Sequence, residues 1–464
     1  MSRFTSLVVA LLAVCAASVS AQHVYEPDKG PHIHPHNPRH ERVKADPSRF
    51  FTDRQGAPLE LPVDDDAFLF AVFGDRTGGP AEGIEVLKQT VADVNLIEPD
   101  LVMTVGDLIN GYNQTDEWML QMQEYKGVMD YLLCPWFPVA GNHDVYWRGP
   151  NRPDEEHEAR YEVHFGPLWY AFEHKDSYFI VLYSDEPNPE TGERNFNKPE
   201  SQRMSPEQFE WLGKALERGR DAEHIFVFLH HPRWLKGNYG DDWDKVHQRL
   251  AEAGNVSAVF AGHIHRMRYE GVVDGIEYVT LATVGGGQSG VVPSAGYLHQ
   301  FHLVMVRDDQ IAMASIPVGG VQDVRAITGE VSDETRRLAG VRPAYSGAVR
   351  VSADSPVLSE FSATLSNPTS RPVEVTLSPV SDDSRWRMLP DHEHLTIAPG
   401  SSASVPMRIW RPAASLDDAF GMPELSINMD YLTDTARFPI PEIRAALPVT
   451  PELPTPEPPD IDRT

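Results

Sequence analysis

The chain has 464 residues, 41% of them hydrophobic and 9% aromatic, which is enough for two or three domains with their own cores. Its 68 acidic and 40 basic residues give a formal net charge of −28 at pH 7. This charge argues against a nucleic-acid backbone or an anionic membrane surface as the main partner. A solvated acidic surface is the simplest interpretation.

The first 21 residues have the pattern of an export signal. Arg3 precedes an apolar stretch over 7–19, and small residues follow up to Ala21. We expect cleavage after Ala21 and a secreted or periplasmic protein. The stretch is short for a membrane span, and no later run approaches about 20 apolar residues, so no transmembrane segment is predicted. The alternative is a lipoprotein anchor at Cys15.

Cleavage of this signal would leave Cys134 as the single cysteine, so no intramolecular disulfide is expected. Cys134 lies in the apolar segment 132–136, which predicts a small buried residue rather than a nucleophile. A hydrolase of the cysteine–histidine type is therefore disfavoured.

Strand and helix signals alternate between residue 65 and about residue 320, which predicts a layered α/β domain. The preceding segment, 22–64, is irregular and rich in histidine and proline; its alternating histidines either capture metal or are incidental, namely His32, His34, His36 and His40. Strands are expected at 67–73, 101–105, 136–140, 178–183, 225–229, 258–261 and 277–283. Helices are expected at 81–97 and 118–133, and another should begin after Ser205.

The C-terminal part of the chain is strand-like, with frequent turn signals. After a connector at 321–344, residues 345–445 are expected to form a small all-β sandwich, with strands at 359–365, 373–377, 395–397 and 402–409. The stretch from Phe361 to Gly400 resembles bacterial immunoglobulin-like accessory domains. A proline-rich acidic tail at 446–464 is predicted to be disordered. Contact with a cell wall or polysaccharide through the sandwich, and the oligomeric state, stay open.

Five short segments place metal-ligating side chains just after apolar runs: Gly74-Asp75-Arg76-Thr77, Gly106-Asp107, Gly141-Asn142-His143-Asp144, His230-His231-Pro232 and Gly262-His263-Ile264-His265. Open α/β sheets gather ligands at the carboxyl ends of their strands. Any one segment alone is more often a turn or a packed core histidine, but the ordered set favours a metal site. Mixed oxygen and nitrogen donors without thiolate suit Zn, Mn or Fe. The predicted ligands are Asp75, Asp107, Asn142, His230, His263 and His265.

Such a donor set suits phosphoryl chemistry. Two cations about 3.5–4 Å apart hold a bridging hydroxide and stabilise an in-line displacement. His263 and His265 alternate as they would on one face of a strand, from which they could serve two neighbouring metals. His143 is not needed as a ligand and is placed to donate a proton to the leaving oxygen. Asp144 is expected to fix its tautomer and raise its pKa.

The set resembles the calcineurin-like metallophosphoesterase superfamily over residues 67–285, and four of the five blocks are specific. The resemblance implies a two-sheet αββα sandwich with a dinuclear centre between the sheets. It implies a first metal held by Asp75 and His265, a bridging Asp107, and a second metal held by Asn142, His230 and His263. The family's ligand stands two residues before proline, which selects His230; His231 is expected beside the ligands as a substrate-binding residue.

The first block departs from the family pattern. Where the family has Asp-x-His, this chain has Asp75-Arg76-Thr77, so the first metal site is weak, completed by water, or empty. The form Asp-Arg-Thr-Gly-Gly, with three glycines after Thr283, is similar to a bacterial subgroup, which favours a variant site over a decayed one. Arg76 is either a catalytic and substrate-binding residue that offsets phosphate charge or a surface salt-bridge partner.

The segment 285–290 matches the G-x-G-x-x-G pattern, but Val291-Val292-Pro293 follows where a dinucleotide site needs a helix. A loop that lines the site is expected instead. Four residues that follow the ligand blocks either shape the substrate cleft or pack in the interior: Trp147, Arg148, Trp234 and Tyr239.

The leading hypothesis is an exported metal-dependent phosphoesterase that hydrolyses a phosphate mono- or diester by a metal-bound hydroxide. The alternative is a non-catalytic exported protein that binds metal or another ligand and retains the fold. Thr77 favours this alternative, whereas His143 and Asp144 oppose it. In a third hypothesis the β-sandwich performs the main task and the enzyme domain is its cargo. The substrate is not identified by the sequence.

Overall fold

The computed structural model describes residues 42–44, 60–62 and 67–452, apart from 152, 154–155, 189, 289–291, 323 and 435. The expected signal sequence, the four N-terminal histidines and the end of the predicted tail lie outside these residues. The chain divides into two units, residues 1–322 and 323–464. No helix within the described ranges is long and apolar enough to cross a membrane.

The first unit contains strands β1 (Arg42–Lys44), β2 (Glu60–Pro62), β3 (Phe68–Phe73), β4 (Leu101–Thr104), β5 (Trp136–Phe137), β6 (Tyr170–His174), β7 (Ser177–Val181), β8 (His224–Phe228), β9 (Val256–Ala261), β10 (Arg268–Val273), β11 (Ile276–Thr280), β12 (Gln300–Arg307) and β13 (Gln310–Pro317). Its α-helices are α1 (Gly83–Ile97), α2 (Thr115–Met129), α3 (Asn142–Val145), α4 (Glu156–His164), α5 (Pro206–Arg218) and α6 (Trp243–Ala253).

These strands form two larger sheets. The five-stranded sheet has the order β13-β12-β3-β4-β5, and the six-stranded sheet has the order β10-β11-β9-β8-β7-β6. In the first, β3, β4 and β5 are parallel; in the second, β7, β8, β9 and β11 are parallel. The remaining strands join antiparallel. The carboxyl ends of β3 and β4, and those of β8 and β9, therefore come together at one edge of their sheets.

Side chains of β3 alternate between two hydrophobic layers. Phe70 packs between the sheets, with ring centroids 5.0 Å from Phe226 and 6.2 Å from Phe228. Phe73 points to the other face and shares a cluster with Leu87 of α1. Helices α5 and α6 cover the outer face of the second sheet. The predicted αββα sandwich is confirmed.

Some elements differ from their sequence predictions. Strand β5 stops at Phe137 instead of continuing to residue 140, because Pro138 has no N–H to donate to a neighbouring strand. The N–H of Val139 binds the hydroxyl of Thr104 at 2.9 Å instead. The hairpin of β12 and β13 was not predicted, although it supplies two strands of the first sheet. Cys134 is half-buried rather than buried, and burial raises the pKa of its thiol.

The second unit contains helix α7 (Gly329–Ala339) and strands β14 (Ala344–Tyr345), β15 (Val349–Val351), β16 (Val357–Ser366), β17 (Val373–Val380), β18 (Arg387–Leu389), β19 (Glu393–Ile397), β20 (Ser402–Arg411), β21 (Glu424–Leu432), β22 (Arg437–Ala446) and β23 (Val449–Pro451). Two four-stranded antiparallel sheets have the orders β14-β16-β20-β18 and β19-β17-β21-β22.

Both of these sheets contribute to one core, which is the predicted β-sandwich. Phe361 and Met407 from one sheet share it with Val375 and Ile427 from the other. The predicted connector holds α7, whose Leu338 is fully buried in the same core. Strand β23 lies beyond the predicted end of the sandwich at residue 445 and pairs with β15.

Candidate metal centre

Four of the five predicted ligand segments are loops that leave the carboxyl end of a strand, and the fifth, which contains Asn142, begins helix α3. Asp75 follows β3, Asp107 follows β4, His230 follows β8 and His263 follows β9. Main-chain hydrogen bonds fix these loops to one another: the N–H of Gly262 donates to the carbonyl of His230 at 3.0 Å. The two sheets thus bring all the predicted ligands to one edge.

Gly106 and Gly262 allow predicted ligand side chains from other loops to lie directly against the main chain. A Cβ on Gly262 would stand 2.1 Å from Oδ1 of Asp75, and one on Gly106 would stand 2.7 Å from Nδ1 of His230. Gly106 also has a φ of 93°, a conformation that residues with a Cβ rarely adopt. Any side chain at these two positions would displace a predicted ligand.

Three predicted ligands lie in the left-handed region of φ: Asp107 at 54°, His263 at 69° and His265 at 53°. Non-glycine residues adopt this region rarely, and it is concentrated at functional sites. The prediction that His263 and His265 share one face of a strand is wrong, because β9 ends at Ala261. The two imidazoles leave a tight turn instead, and each joins a different group of donors.

One of these groups contains the ligands predicted for the second metal and surrounds Nε2 of His230. This atom lies 3.2 Å from Oδ1 of Asp107, 3.1 Å from Oδ1 of Asn142 and 3.2 Å from Nδ1 of His263. A ring nitrogen carries either one hydrogen or one lone pair, which does not satisfy three polar neighbours at once. Ligands about 2.1 Å from a common cation lie about 3.0–3.4 Å apart, so the spacing fits a metal.

The other nitrogen of His230 supports this assignment. Nδ1 lies 2.8 Å from the carbonyl oxygen of Val105, which can only accept a hydrogen bond. Nδ1 therefore carries the proton, and Nε2 is directed at the donor group. A second hydrogen bond of this kind commonly orients histidines that bind metals.

The other group contains the ligands predicted for the first metal. It consists of Asp75, Asp107 and His265, whose donor atoms lie within 4.8 Å of one another. Nε2 of His265 is 3.2 Å from Oδ2 of Asp75, and its Nδ1 lies 2.5 Å from the carbonyl oxygen of Gly287. Oδ1 of Asp75 is buried without a hydrogen-bond partner. A buried carboxylate oxygen in this state fits a cation. The loop at 285–288 thus contributes to the site.

The electrostatics of both groups call for positive charge. Burial lowers the pKa of His230, but the neighbouring Asp107 outweighs it and raises that pKa to about 10. Burial likewise opposes protonation of His265, whose hydrogen bond to Asp75 raises its pKa to about 9. The carboxylates therefore favour a cation beside each imidazole.

His143 is held by residues other than the one predicted. Its Nδ1 lies 2.8 Å from Oγ1 of Thr77 and 2.5 Å from the carbonyl oxygen of Asn110. Its main-chain N–H donates to Oδ1 of Asp107 at 2.9 Å. Thr77, which replaces the family's histidine, thus contacts the proposed proton donor.

Asp144 does not have the predicted contact with the ring of His143. Its carboxylate is fully buried and accepts the main-chain N–H groups of Leu108, Ile109 and Gly141 at 2.9, 3.2 and 2.8 Å. The reason is local: in the short turn α3, the side chain at Asp144 folds back to the N–H of Gly141. Asp144 therefore stabilises the two loops around His143 and does not set the tautomer of the His143 ring.

His231 is fully buried and lies beside the predicted ligands, and its role in substrate binding stays a prediction. Its Nε2 is 3.1 Å from Oδ1 of Asn142, and its donor atom groups with those of His230 and His263 within 4.8 Å. Burial lowers its pKa well below the ordinary value, with added repulsion from His263. His231 is therefore a neutral imidazole available as a further donor.

Asp185 was missed by sequence reasoning. It is 1% exposed, neither carboxylate oxygen has a hydrogen-bond partner, and Oδ1 lies 3.5 Å from Nε2 of His231. Burial, reinforced by the charge of Asp107, raises its pKa to about 7 although His230 opposes the rise. Its sequence signal was available, since Asp185 follows the predicted strand 178–183 just as Asp75 follows β3.

Arg76 is only 4% exposed, so it is not a surface salt-bridge partner. Its Nη1 lies 3.3 Å from the position that a Cβ on Gly83 would occupy, and its charge interacts with Glu124 of α2. Burial lowers its pKa. These neighbours belong to helices α1 and α2, and neither of them belongs to a donor group.

Aromatic side chains border the donor groups. The hydroxyl of Tyr112 accepts from Nδ2 of Asn142 at 2.9 Å, and Arg148 lies over the Tyr112 ring at 5.0 Å. Phe196 stands edge-on to His263, with centroids 5.2 Å apart. Of the four residues proposed for the cleft, Arg148 and Tyr239 lie near the site, whereas Trp147 packs against His157 and Trp234 packs against Trp243 and Tyr278.

A two-sheet α/β sandwich that gathers two groups of carboxylate and imidazole donors at one edge defines the class of metal-dependent hydrolase domains. Residues 68–267 match the sequence profile of the calcineurin-like phosphoesterase family. This part of the chain is a calcineurin-like phosphoesterase domain, and the family supports a metal-dependent hydrolase acting on phosphoesters. No curated protein matches the chain.

The chain is also similar to solved structures. A dimetal phosphatase from Danio rerio is 18% identical, with 54% of this chain and 99% of that chain covered at a TM-score of 0.41. A purple acid phosphatase from yellow lupin (Lupinus luteus) is 14% identical, with 56% and 53% covered at 0.41. An inner-membrane-complex anchor protein of Plasmodium is 16% identical, with 56% and 87% covered at 0.38. At such low scores the similarities say nothing about activity.

Proposed function

We propose that this protein is an exported phosphoesterase that hydrolyses a phosphate mono- or diester with two divalent cations, Mn, Fe or Zn. The observation that carries the proposal is the set of three donor atoms within 3.2 Å of Nε2 of His230, next to a His143 whose main chain is bound to Asp107. A protein that only stored metal would need the donors but not the adjacent imidazole.

The two cation sites have different numbers of protein ligands. Asp107, Asn142, His230 and His263 would hold the second cation, with His231 available beside them. Asp75, Asp107 and His265 would hold the first. When bound, the pair of cations supplies Lewis-acid activation of the phosphoryl group and of the attacking water. Because Thr77 replaces an imidazole, the first cation would have fewer protein ligands and would be bound more weakly.

His143 supplies the proton for the leaving group. Its Nδ1 faces the carbonyl oxygen of Asn110, which accepts only, so Nδ1 carries a hydrogen. Nε2 is then the nitrogen that exchanges a proton with substrate. As the bond between phosphorus and the leaving oxygen breaks, the proton of Nε2 passes to that oxygen, which departs as an alcohol.

The non-catalytic alternative rests on one observation, the missing histidine at position 77. Oγ1 of Thr77 lies 2.8 Å from Nδ1 of His143, which ties the changed residue to the proposed proton donor. That contact supports a variant catalytic site. Contact between the β-sandwich and a wall or polysaccharide stays a separate proposal, which binding of the intact protein to purified polysaccharides would test.

A substrate panel tests the proposed activity. We expect purified protein with added Mn²⁺ to hydrolyse p-nitrophenyl phosphate, bis(p-nitrophenyl) phosphate or both, and His143→Asn to lower kcat by about 100-fold or more. The matched control is His392→Asn on the surface of the second unit, which should leave the rate unchanged. Absence of hydrolysis across the panel with metal-loaded protein would refute the proposal.

Export is tested separately. Mass spectrometry of the protein purified from its own cells should find a mature chain that begins at Gln22, as the signal pattern at 1–21 predicts. A cytoplasmic protein that keeps Met1 would contradict export without affecting the phosphoesterase proposal.

A further inference from the structure

We propose that Thr77 is a positioning residue whose hydroxyl holds the imidazole of His143 for protonation of the leaving group, in place of binding the first cation. This inference rests on the proposed phosphoesterase function. It gives the departure from the family's Asp-x-His pattern a role in the reaction.

The contact is built into a rigid part of the site. Thr77 is fully buried, and its Oγ1 is 2.8 Å from Nδ1 of His143. The carbonyl of Thr77 accepts the N–H of Gly287 at 2.9 Å, and the N–H of the preceding Arg76 donates to the carbonyl of Asp107 at 2.9 Å. The hydroxyl is therefore fixed between the Gly287 loop and the Asp107 loop.

The hydrogen-bond chemistry assigns each atom a role. Nδ1 of His143 donates to the carbonyl of Asn110, so Oγ1 of Thr77 acts as a second acceptor of the same N–H. Two oxygens on one side of the ring restrain its rotation and hold the opposite nitrogen, Nε2, in one orientation. Asp144 does not provide this contact, because its carboxylate is directed at three main-chain N–H groups instead.

The same geometry argues against Thr77 as a cation ligand. The donor group of the first cation is formed by two carboxylates and the imidazole of His265. A neutral hydroxyl is a weaker donor to Mn, Fe or Zn than the imidazole that the family has at this position. With its oxygen directed at His143, Thr77 serves the proton donor instead.

The test compares Thr77→Val, which keeps the shape and removes the hydroxyl, with Thr77→Ser, which keeps the hydroxyl. We expect Thr77→Val to lower kcat about 10- to 100-fold with KM and bound metal per chain unchanged, and Thr77→Ser to retain activity within about threefold. Thr90→Val is the matched control, because Thr90 is equally buried but lies in α1, where its hydroxyl donates to the carbonyl of Val86.

Leaving-group dependence separates positioning from general damage. The loss in Thr77→Val should be small for p-nitrophenyl phosphate and should grow for phenyl and methyl phosphate, whose leaving oxygens are more basic and need the proton more. Equal losses for all three esters would overturn the inference. In a His143→Asn background, Thr77→Val should have no further effect; additive losses would overturn it too.

A crystal structure of the Mn²⁺-loaded protein gives a result that does not depend on turnover. The inference predicts that Oγ1 of Thr77 remains within hydrogen-bond distance of His143. Coordination of that oxygen to a cation, or loss of one cation per chain in Thr77→Val, would overturn it while leaving the phosphoesterase proposal intact. Wild-type protein inactive on every ester would instead refute the proposed function, and the role of Thr77 with it.

Discussion

The main-chain N–H of His143 donates a hydrogen bond to Oδ1 of Asp107 at 2.9 Å. This contact joins the proposed proton donor to the carboxylate that both donor groups share. Because Oδ1 of Asp107 is also 3.2 Å from Nε2 of His230, one oxygen organises both the proton donor and the second cation site.

Replacing that carboxylate should therefore affect both functions. Asp107→Asn keeps the shape and removes the negative charge, so we expect loss of bound metal and a fall in kcat/KM of about 1,000-fold or more. Elemental analysis of the purified protein and initial rates measure the two effects. The exposed Asp116→Asn on α2 is the control. Full metal content in Asp107→Asn would contradict the assignment of Asp107 as the shared ligand.

Asp185 should strengthen the second cation site, because its unpartnered carboxylate lies 3.5 Å from His231 in a buried setting. We predict that Asp185→Asn weakens Mn²⁺ or Zn²⁺ binding about 10- to 100-fold, as loss of a supporting carboxylate does in other metal sites. Titration calorimetry measures this affinity. The neighbouring Glu186→Gln is the control, since Glu186 is bound to Ser205; unchanged affinity in Asp185→Asn would assign Asp185 to folding alone.

Two glycine substitutions should have opposite effects. In Gly262→Ala the new methyl would meet Oδ1 of Asp75 at 2.1 Å, so we expect a destabilisation of about 1–3 kcal/mol and weaker metal binding. In Gly127→Ala the methyl meets nothing within 4 Å on α2, so we expect a stabilisation of about 0.5–1 kcal/mol. Thermal unfolding measures both. Unchanged stability in Gly262→Ala would contradict this prediction, because it would show that the Asp75 loop can move to make room for the methyl group.

His302 should make the first unit less stable in acid. It is 2% exposed, and burial lowers its pKa to about 4 from an ordinary value of 6.5. Between these two pH values the unfolded chain binds a proton that the native state does not. Stability therefore falls with falling pH by up to about 1.4 kcal/mol per pH unit from this residue.

The variant His302→Leu should flatten that dependence. Calorimetric melting temperatures at pH 7.5 and pH 5 should differ less in His302→Leu than in the wild type. The control His392→Leu removes an imidazole whose side chain is 56% exposed, and it should keep the wild-type difference. Equal differences in all three proteins would contradict a buried neutral His302.

Most of the fold could be predicted from the sequence, because an apolar run that ends in Gly-Asp or Gly-His indicates a strand with a ligand after its carboxyl end. It did not predict the turn that separates His263 from His265, since the left-handed φ at both residues follows from packing of the loop after β9. The roles of Asp144 and Thr77 also depended on contacts between loops distant in sequence. Asp185 was missed although its position after a strand obeyed the rule used for Asp75.

The most direct test of the central claim is removal and return of the metal. The protein should lose its phosphoesterase activity after treatment with a chelator and regain it on titration with Mn²⁺, Fe²⁺ or Zn²⁺. We predict one tightly bound and one weakly bound cation per chain, with the rate rising as the second equivalent binds. Activity that persists in protein shown by elemental analysis to be free of metal would contradict the account, as would full metal binding without hydrolysis of any ester.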